Sequence, residues 1–349
     1  MNKKQRLRLF KILMISISIA CTWYFTWEFV SVWISPLPDA VQEEMDNAVD
    51  DGFDGMIVYI DKKGEAPEFY ASGWKDRDNK IPADPNSLFK IASISKLYVA
   101  VSIAKLVHNN QLSLDKTLAE YFPELANRIE YADKITLELM VQHRSGIPNF
   151  TDNPNYWQDE KRKEALEYAL DLTAPFKPGE DYGYSNTNYL LIRRLIDKTL
   201  GYSHKQYIKD EILTPLGLKN TYCSLNDVNL DDVMSGYYVG IDEDFKTENT
   251  GLMLATAEDV GFFLRALNNG SVFKEGEQDI YSSIYVYEHT GLVPGYQSIA
   301  KYHKDIDAVV IQFVNTSNFE GHTWFVSEII YDRILKIYKN KLNSKSSSQ

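Results

Sequence analysis

Residues 91–107 read IASISKLYVAVSIAKLV, and the reading of the whole chain turns on them. Ser93 and Lys96 stand three residues apart, so on a helix the hydroxyl and the amine lie one turn apart on the same face. A serine hydroxyl is a poor nucleophile until a neighbouring base takes its proton. A lysine serves as that base only when burial or nearby positive charge lowers its pKa. The residues that follow are apolar almost all round, the pattern of a helix enclosed in a core. Lys96 is therefore a cation with little water around it, the usual mark of a functional residue.

The spacing alone selects nothing, because it recurs at Ser102/Lys105, Ser113/Lys116, Ser271/Lys274 and Ser298/Lys301. A single match is ordinarily a solvated surface pair. Lys105 lies nine residues beyond Lys96, half a turn round the helix at about 100° per residue, and is expected to face outward.

What singles out Ser93 is its company. Residues 179–201, GEDYGYSNTNYLLIRRLIDKTLG, place Tyr184 and Asn186 just before a helix whose apolar positions Leu191, Ile192, Leu195 and Ile196 repeat at four-residue intervals. Gly201 supplies the stop. A phenol and a carboxamide two residues apart on a loop can point into one cleft; the plainer alternative is that Asn186 caps the helix and Tyr184 packs. Residues 284–303, IYVYEHTGLVPGYQSIAKYH, then end a strand-like run at His289, Thr290 and Gly291 and turn into a second such run. Glycine at 291 permits close backbone approach.

Ser-x-x-Lys, Tyr-x-Asn and His-Thr-Gly, in this order and roughly a hundred residues apart, resemble the penicillin-recognising serine hydrolases: class C β-lactamases, DD-peptidases and related esterases and D-amino-acid peptidases. Further stretches are similar to that family: LSLDKTLAEYFPEL (112–125), ITLELMVQHRSGIPNF (135–150), FKPGEDYGYSNTNYLL (176–191), ILTPLGLKNTYC (212–223) and TGLMLATAEDVGFFLRALNNG (250–270). The resemblance covers about residues 40–338.

The resemblance implies Ser93 as the acylated nucleophile, Lys96 as the acceptor of its proton and Tyr184 as a proton relay to the leaving group. It implies Asn186, His289, Thr290 and Gly291 as substrate-binding residues, and the backbone N–H groups of Ser93 and Leu292 as an oxyanion hole. It calls for no metal and no organic cofactor. His289 stands where β-lactamases of this class carry lysine, and histidine there is similar to certain DD-peptidases and D-amino-acid peptidases. Two departures matter. Leu292 replaces the hydroxyl residue common in members that bind a free carboxylate, and Arg144 replaces the usual threonine. His143 reads as a core or loop histidine rather than a catalytic one.

The fold implied is an α/β (α+β) architecture of the β-lactamase/DD-peptidase type: an antiparallel sheet flanked by helices, plus an all-helical lobe. Strands are expected at GMIVYID and EFYASGW, separated by a KKGE turn. Further strands are expected at YSSIYVYEH, YQSIAKYH and DAVVIQFVN, before a C-terminal helix at TWFVSEIIYDRILKIY. The site falls between the two parts, with Tyr156, Trp157 and Phe176 either on its rim or packed.

The first eleven residues carry Lys3, Lys4, Arg6, Arg8 and Lys11 and no acid, and Ile12 to Trp27 carry no charge. That pattern predicts a cytoplasmic tip, an N-terminal transmembrane helix and an exported body. Sixteen uncharged residues rise only about 24 Å, so the span must run on past Glu28. Trp23, Tyr24, Trp27 and Trp33 suit an interfacial belt. The rival is a cleaved signal ending near Cys21. The expected organisation is anchor 1–35, hydrolase domain 36–340 and disordered tail 341–349. Without the anchor, 32 basic residues face 48 acidic ones, a net −16, which argues against nucleic-acid partners. Cys21 lies in the anchor, leaving Cys223 without a soluble partner.

The reaction expected is hydrolysis, through an acyl-enzyme, of a D-amino-acid peptide, amide or ester of the cell envelope, with a peptidoglycan-like peptide as one such substrate. A β-lactamase or broad esterase, and a sensor or scaffold that acylates without turnover, are the alternatives.

Overall fold

A computed structural model describes residues 30–158, 163–248, 253–319 and 322–347, together with Lys11 and Met14. The strands that organise it are β1 (Gly55–Lys62), β2 (Glu68–Asp76), β3 (Ile81–Pro82), β4 (His289–Val293), β5 (Tyr296–His303) and β6 (Ala308–Val314). They form one antiparallel sheet in the order β3-β2-β1-β6-β5-β4, so both halves of the chain contribute to it. β1 is buried on both faces, and its two-residue period sorts its side chains into two cores. Met56, Val58 and Ile60 meet one core, Ile57 and Tyr59 the other.

The first core is closed by α1 (Val41–Asp50) and by α7 (His322–Ser347), through Val41, Met45, Ile330, Ile334 and Ile337. The second core holds α2 (Ser95–His108), α3 (Asn186–Leu200), α4 (His204–Ile208) and α5 (Ala257–Asn269). Tyr98 of α2 stacks on Phe263 of α5, ring centroids 3.6 Å apart. α3 begins after the extended residue Ser185 and stops at Gly201, whose φ of 75° ends the helix as the sequence predicts. Its periodic residues Leu191, Ile192, Leu195 and Ile196 are all buried, worth roughly 1.5–3 kcal/mol each.

Four expectations change. The stretch 281–288 is not a strand leading into β4; α6 (Glu277–Ile284) occupies its first half. Tyr281 is fully buried there, and α6 packs against α2, so tertiary burial overrides the strand preference of its β-branched and aromatic residues. Lys105 does not face outward. It is buried and pairs with buried Glu277 of α6 at 2.9 Å. The middle of the chain is not all helical, because Phe89–Lys90, Leu254–Ala255 and Thr221–Tyr222 form a small three-stranded sheet. Helix α7 also runs into the segment expected to be disordered, held where Lys341 Nζ donates to both Glu68 carboxylate oxygens and Leu342 packs on the first core.

Most of the expected anchor, Cys21 included, lies outside the described residues. Among the described residues no helix is long and apolar enough to cross a membrane. Residues 30–34 are helical and lead to a clamp on the body: Arg333 of α7 donates to the carbonyls of Ser35 and Pro36 and pairs with buried Glu44 of α1.

Candidate active site

The turn Ala92–Ile94 lifts Ser93 to the head of α2, and Lys96 follows one helical turn later. Ala92 holds φ +49° while fully buried, a strained conformation that surrounding packing must enforce. β4, the edge strand of the sheet, runs beside this turn. A side chain at Gly291 would put its Cβ 2.6 Å from the Ile91 carbonyl oxygen and 2.9 Å from the Ala92 Cβ, so only glycine lets β4 come this close. The close approach brings the backbone of Gly291 and Leu292 against the segment that carries Ser93.

Four polar side chains form one chain of hydrogen bonds. The Tyr184 hydroxyl donates to Ser93 Oγ at 2.7 Å. Lys96 Nζ lies 3.0 Å from Ser93 Oγ and donates to Asn186 Oδ1, also at 3.0 Å. Asn186 is therefore not a cap; its Nδ2 donates to Thr151 Oγ1, and its backbone N–H donates to Asn149 Oδ1. The carboxamide is fixed from both ends.

Electrostatics match the geometry. Burial, with a smaller push from the Arg193 charge, lowers the Lys96 pKa to about 7. A substantial share of the amine is therefore neutral at pH 7, with a lone pair for the Ser93 proton. Burial raises the Tyr184 phenol to about 12, against a partial lowering by its bond to Ser93. Tyr184 therefore stays protonated and can pass a proton but cannot start as a phenolate.

His289 does not join this network as a bridge. Its Nδ1 faces the Thr290 carbonyl at 2.5 Å, so that nitrogen carries the proton, and its Nε2 accepts from the Tyr285 hydroxyl at 3.0 Å. Its ring centre is 6.5 Å from that of Tyr184. Burial, and to a lesser degree Lys96, lowers its pKa to about 4 in spite of the carbonyl contact, so it is neutral at pH 7.

His143, read from the sequence as a core or loop histidine, is buried, but nothing in the sequence marked the neighbours it meets. Residing at φ +57°, its carbonyl accepts from Gly183 N–H at 2.9 Å, and its Nδ1 accepts from Ser185 N–H at 3.1 Å. Its ring stacks on Tyr184, centroids 4.4 Å apart. Tyr184 is thus splinted on both sides by one histidine, whose pKa is lowered to about 3 by burial, then by Lys96 and His289. Thr151, Asn149 and Tyr285 were likewise unmarked in sequence. Of the rim candidates, Trp157 donates to the Thr151 carbonyl and meets Phe319 edge-on at 5.7 Å, and Tyr156 packs against Trp157. Phe176 lies behind the Tyr184 loop against Gly183. Among the described residues no group of three His, Cys, Asp or Glu side chains could hold a metal ion.

The sequence profile of the beta-lactamase family matches residues 37–283, most of the chain. The chain belongs to the beta-lactamase family. Its family and fold are those of serine hydrolases. It is 25% identical over 249 residues to the protein flp of Staphylococcus aureus (strain MW2), covering 68% of this chain and 49% of that protein. The chain thus spans about half the length of that relative. Its fold is similar to the D-amino acid amidase from Ochrobactrum anthropi SV3, solved with L-phenylalanine amide. There the TM-score is 0.75 at 24% identity, with 88% of this chain and 99% of that one covered. The fold is also similar to a penicillin binding protein from Bacillus halodurans, with a TM-score of 0.70 at 19% identity over 84% of this chain and 98% of that one.

Proposed function

We propose that this chain hydrolyses a D-amino-acid amide, ester or peptide of the cell envelope through an acyl-enzyme on Ser93. The observation that carries the reading is the continuous chain Tyr184–Ser93–Lys96–Asn186 with an amine poised near pH 7. Ser93 Oγ attacks the substrate carbonyl while its proton moves to neutral Lys96. Charge developing on the carbonyl oxygen is met by the backbone N–H groups of Ser93 and Leu292. The Lys96 proton then reaches the leaving amine or alcohol by way of Tyr184, and the C–N or C–O bond breaks to leave a Ser93 ester. Water, deprotonated by the same pair, releases the acid. Asn186 orients the substrate amide, and β4 at His289, Thr290 and Gly291 forms the opposite wall.

A neutral His289 and an aliphatic Leu292 supply neither a fixed positive charge nor a hydroxyl for a free carboxylate. This favours amides, esters and internal peptide bonds over a carboxypeptidase reaction. The amidase likeness supports the same substrate class, and the exposed Trp157 and Phe319 on the rim suit an apolar substituent.

We also propose that the body is tethered outside the membrane by residues 12–34, with the basic tip in the cytoplasm. The charge pattern of residues 1–27 supports this, as do Trp33 and Ile34, which stand 72% and 55% exposed beside the Arg333 clamp.

The deciding measurement is intact mass of the full chain over time with a labelled penicillin and, in parallel, with D- and L-phenylalanine amide. Turnover of the D-amide with Ser93 labelled transiently is the expected result. Labelling that survives Ser93→Ala overturns the nucleophile. Rapid penicillin release without amidase activity would favour a β-lactamase, and a permanent adduct would favour a sensor.

A further inference from the structure

Helix α6 ends at Ile284 and β4 begins at His289, so a short segment joins them across the floor of the cleft. Its first residue, Tyr285, is extended, with φ −148° and ψ 174°. Exposure then alternates: Val286 and Glu288 face solvent, while Tyr285, Tyr287 and His289 are half-buried. That two-residue period puts Tyr285 and His289 on one side of the chain. The Tyr285 N–H donates to the Tyr281 carbonyl at 3.0 Å, and the buried Lys105–Glu277 pair fastens α6 to α2. Neighbours from other segments flank the phenol ring, which lies 5.6 Å from the Tyr189 ring of α3 and 6.4 Å from the His143 ring. The Tyr285 hydroxyl reaches His289 Nε2 at 3.0 Å, with the two ring planes 24° apart and their centres 6.0 Å apart.

We propose that Tyr285 is a positioning residue: its hydroxyl holds His289 as a neutral ring protonated on Nδ1, and so makes the β4 wall a surface for uncharged substrate ends. The inference deepens the amide-type hydrolysis proposed for Ser93 and rests on that reading for the identity of the reaction. With Nδ1 against the Thr290 carbonyl, only Nε2 is left to take a second proton, and its lone pair already accepts from Tyr285. Burial pushes the phenol up, so Tyr285 stays a donor and offers no phenolate to a charged ring. A hydrogen bond made only to the neutral form opposes the charged one.

Among the described residues, the other titratable groups that meet the His289 ring bring no buried negative charge. Lys96 of α2 disfavours a second cation, the Tyr184 ring 6.5 Å away stays protonated, and His143 is neutral. Opposite His289 on β5 stands Ala300, and Glu288 beside it is exposed. Without the Tyr285 hydroxyl the neutral ring loses one hydrogen bond, which moves the protonation of His289 up by about one pH unit. The charged share of the ring at pH 5 then rises about fivefold. The wall gains a partner for a substrate carboxylate that the wild type withholds.

The test uses the full chain in detergent, carrying nitrogen-labelled histidine and read by NMR; the His289 signals are those missing in His289→Gln. The wild type is expected to show a proton on Nδ1 and a bare, hydrogen-bonded Nε2 that does not titrate between pH 6 and 8. Tyr285→Phe, which keeps the ring, should titrate about one unit higher than the wild type. In parallel, KM for a carboxylate-terminated D-peptide is measured relative to that for a D-amino-acid amide. The ratio should be about threefold lower at pH 5 in Tyr285→Phe than in the wild type, and the same in both at pH 7. A proton on Nε2 in the wild type, or the same titration in both proteins, overturns the proposal. So does a Tyr285→Phe protein that melts lower with the ratio unchanged. If Tyr285→Phe does not fold, the wild-type nitrogen shifts decide alone, the opposite tautomer or a free Nε2 overturning the proposal. A wild type inactive on the amide counts against the amide reading, while the NMR arm needs no substrate and still decides the role of Tyr285.

Discussion

His143 stacks on Tyr184 at 4.4 Å and at the same time accepts the N–H of Ser185, the residue that follows it. One imidazole therefore sets both the tilt of the phenol and the path of its backbone. Such a group touches neither Ser93 nor the amine, so it acts by positioning. His143→Ala is expected to lower the acylation rate about 10- to 100-fold with KM for amides nearly unchanged. His143→Asn, which tolerates the positive φ and keeps a hydrogen-bond acceptor, should recover part of the loss. Equal loss in both variants, tracking the melting temperature, would assign His143 to stability alone.

On the proposed mechanism the Lys96 amine gives acylation its pH dependence. With the pKa lowered to about 7, the fraction of free base, and with it acylation by a fluorophosphonate, should rise through pH 7 and level off above about 8. The sign for stability is opposite to that of an ordinary ion pair. Between the folded value near 7 and the unfolded value of 10.5, the unfolded chain binds more protons, so this group makes the fold more stable as pH rises across that window. Below pH 7 its cost is fully present. Lys96→Met should therefore abolish acylation and raise the melting temperature at pH 7; a lower melting temperature would contradict the buried-cation account.

Replacement of His289 tests specificity. The wild-type ring charges only below its value of about 4, so His289→Gln should leave the position of the limb near pH 7 unchanged. His289→Lys places a fixed cation beside β4. It is expected to improve KM for substrates with a free carboxylate roughly tenfold, about 1.4 kcal/mol, relative to amides. Parallel KM measurements on a D-amino-acid amide and a carboxylate-terminated D-peptide check this.

The Lys105–Glu277 pair joins α2 to α6 in the core, with each side chain under 5% exposed. Lys105→Met should cost about 3–5 kcal/mol in urea unfolding, because Glu277 keeps a buried charge without its partner. The double variant Lys105→Met/Glu277→Leu should regain most of the loss. Labelling of Ser93 per folded molecule should not change in either.

Topology can be read from the far end of the chain. With Gln349→Cys, an impermeant maleimide applied to intact cells or spheroplasts is expected to label the protein. Cys223 is buried, with its thiol pushed up to about 11, and should contribute no background. Protection until the membrane is broken would place the body in the cytoplasm.

Sequence by itself determined the parts whose chemistry is local or whose order is distinctive. Ser93 and Lys96 share a face because helix geometry fixes three-residue neighbours, and α3 ends at Gly201 because only glycine takes that conformation cheaply. The order of the three motifs carried the family. Strand-like runs marked β1, β2, β5 and β6 well enough to place one sheet at both ends of the chain.

Tertiary structure decided everything that depends on what lies beyond a residue's own element. Lys105 is on the opposite side of α2 from Lys96, yet both are buried. A helix apolar all round is enclosed all round, and Glu277, 172 residues away, makes that burial tolerable. The same contact turned 281–284 into helix. Thr151, Tyr285 and Arg193 had no sequence signal, and the sequence placed His143 in the core or a loop without showing what it meets, because each matters through a neighbour on another segment rather than through a spacing. Even the Lys96 pKa, on which the proposed reaction rests, comes from desolvation by distant segments. Periodicity can show that a side chain is turned inward; it cannot show what it meets there.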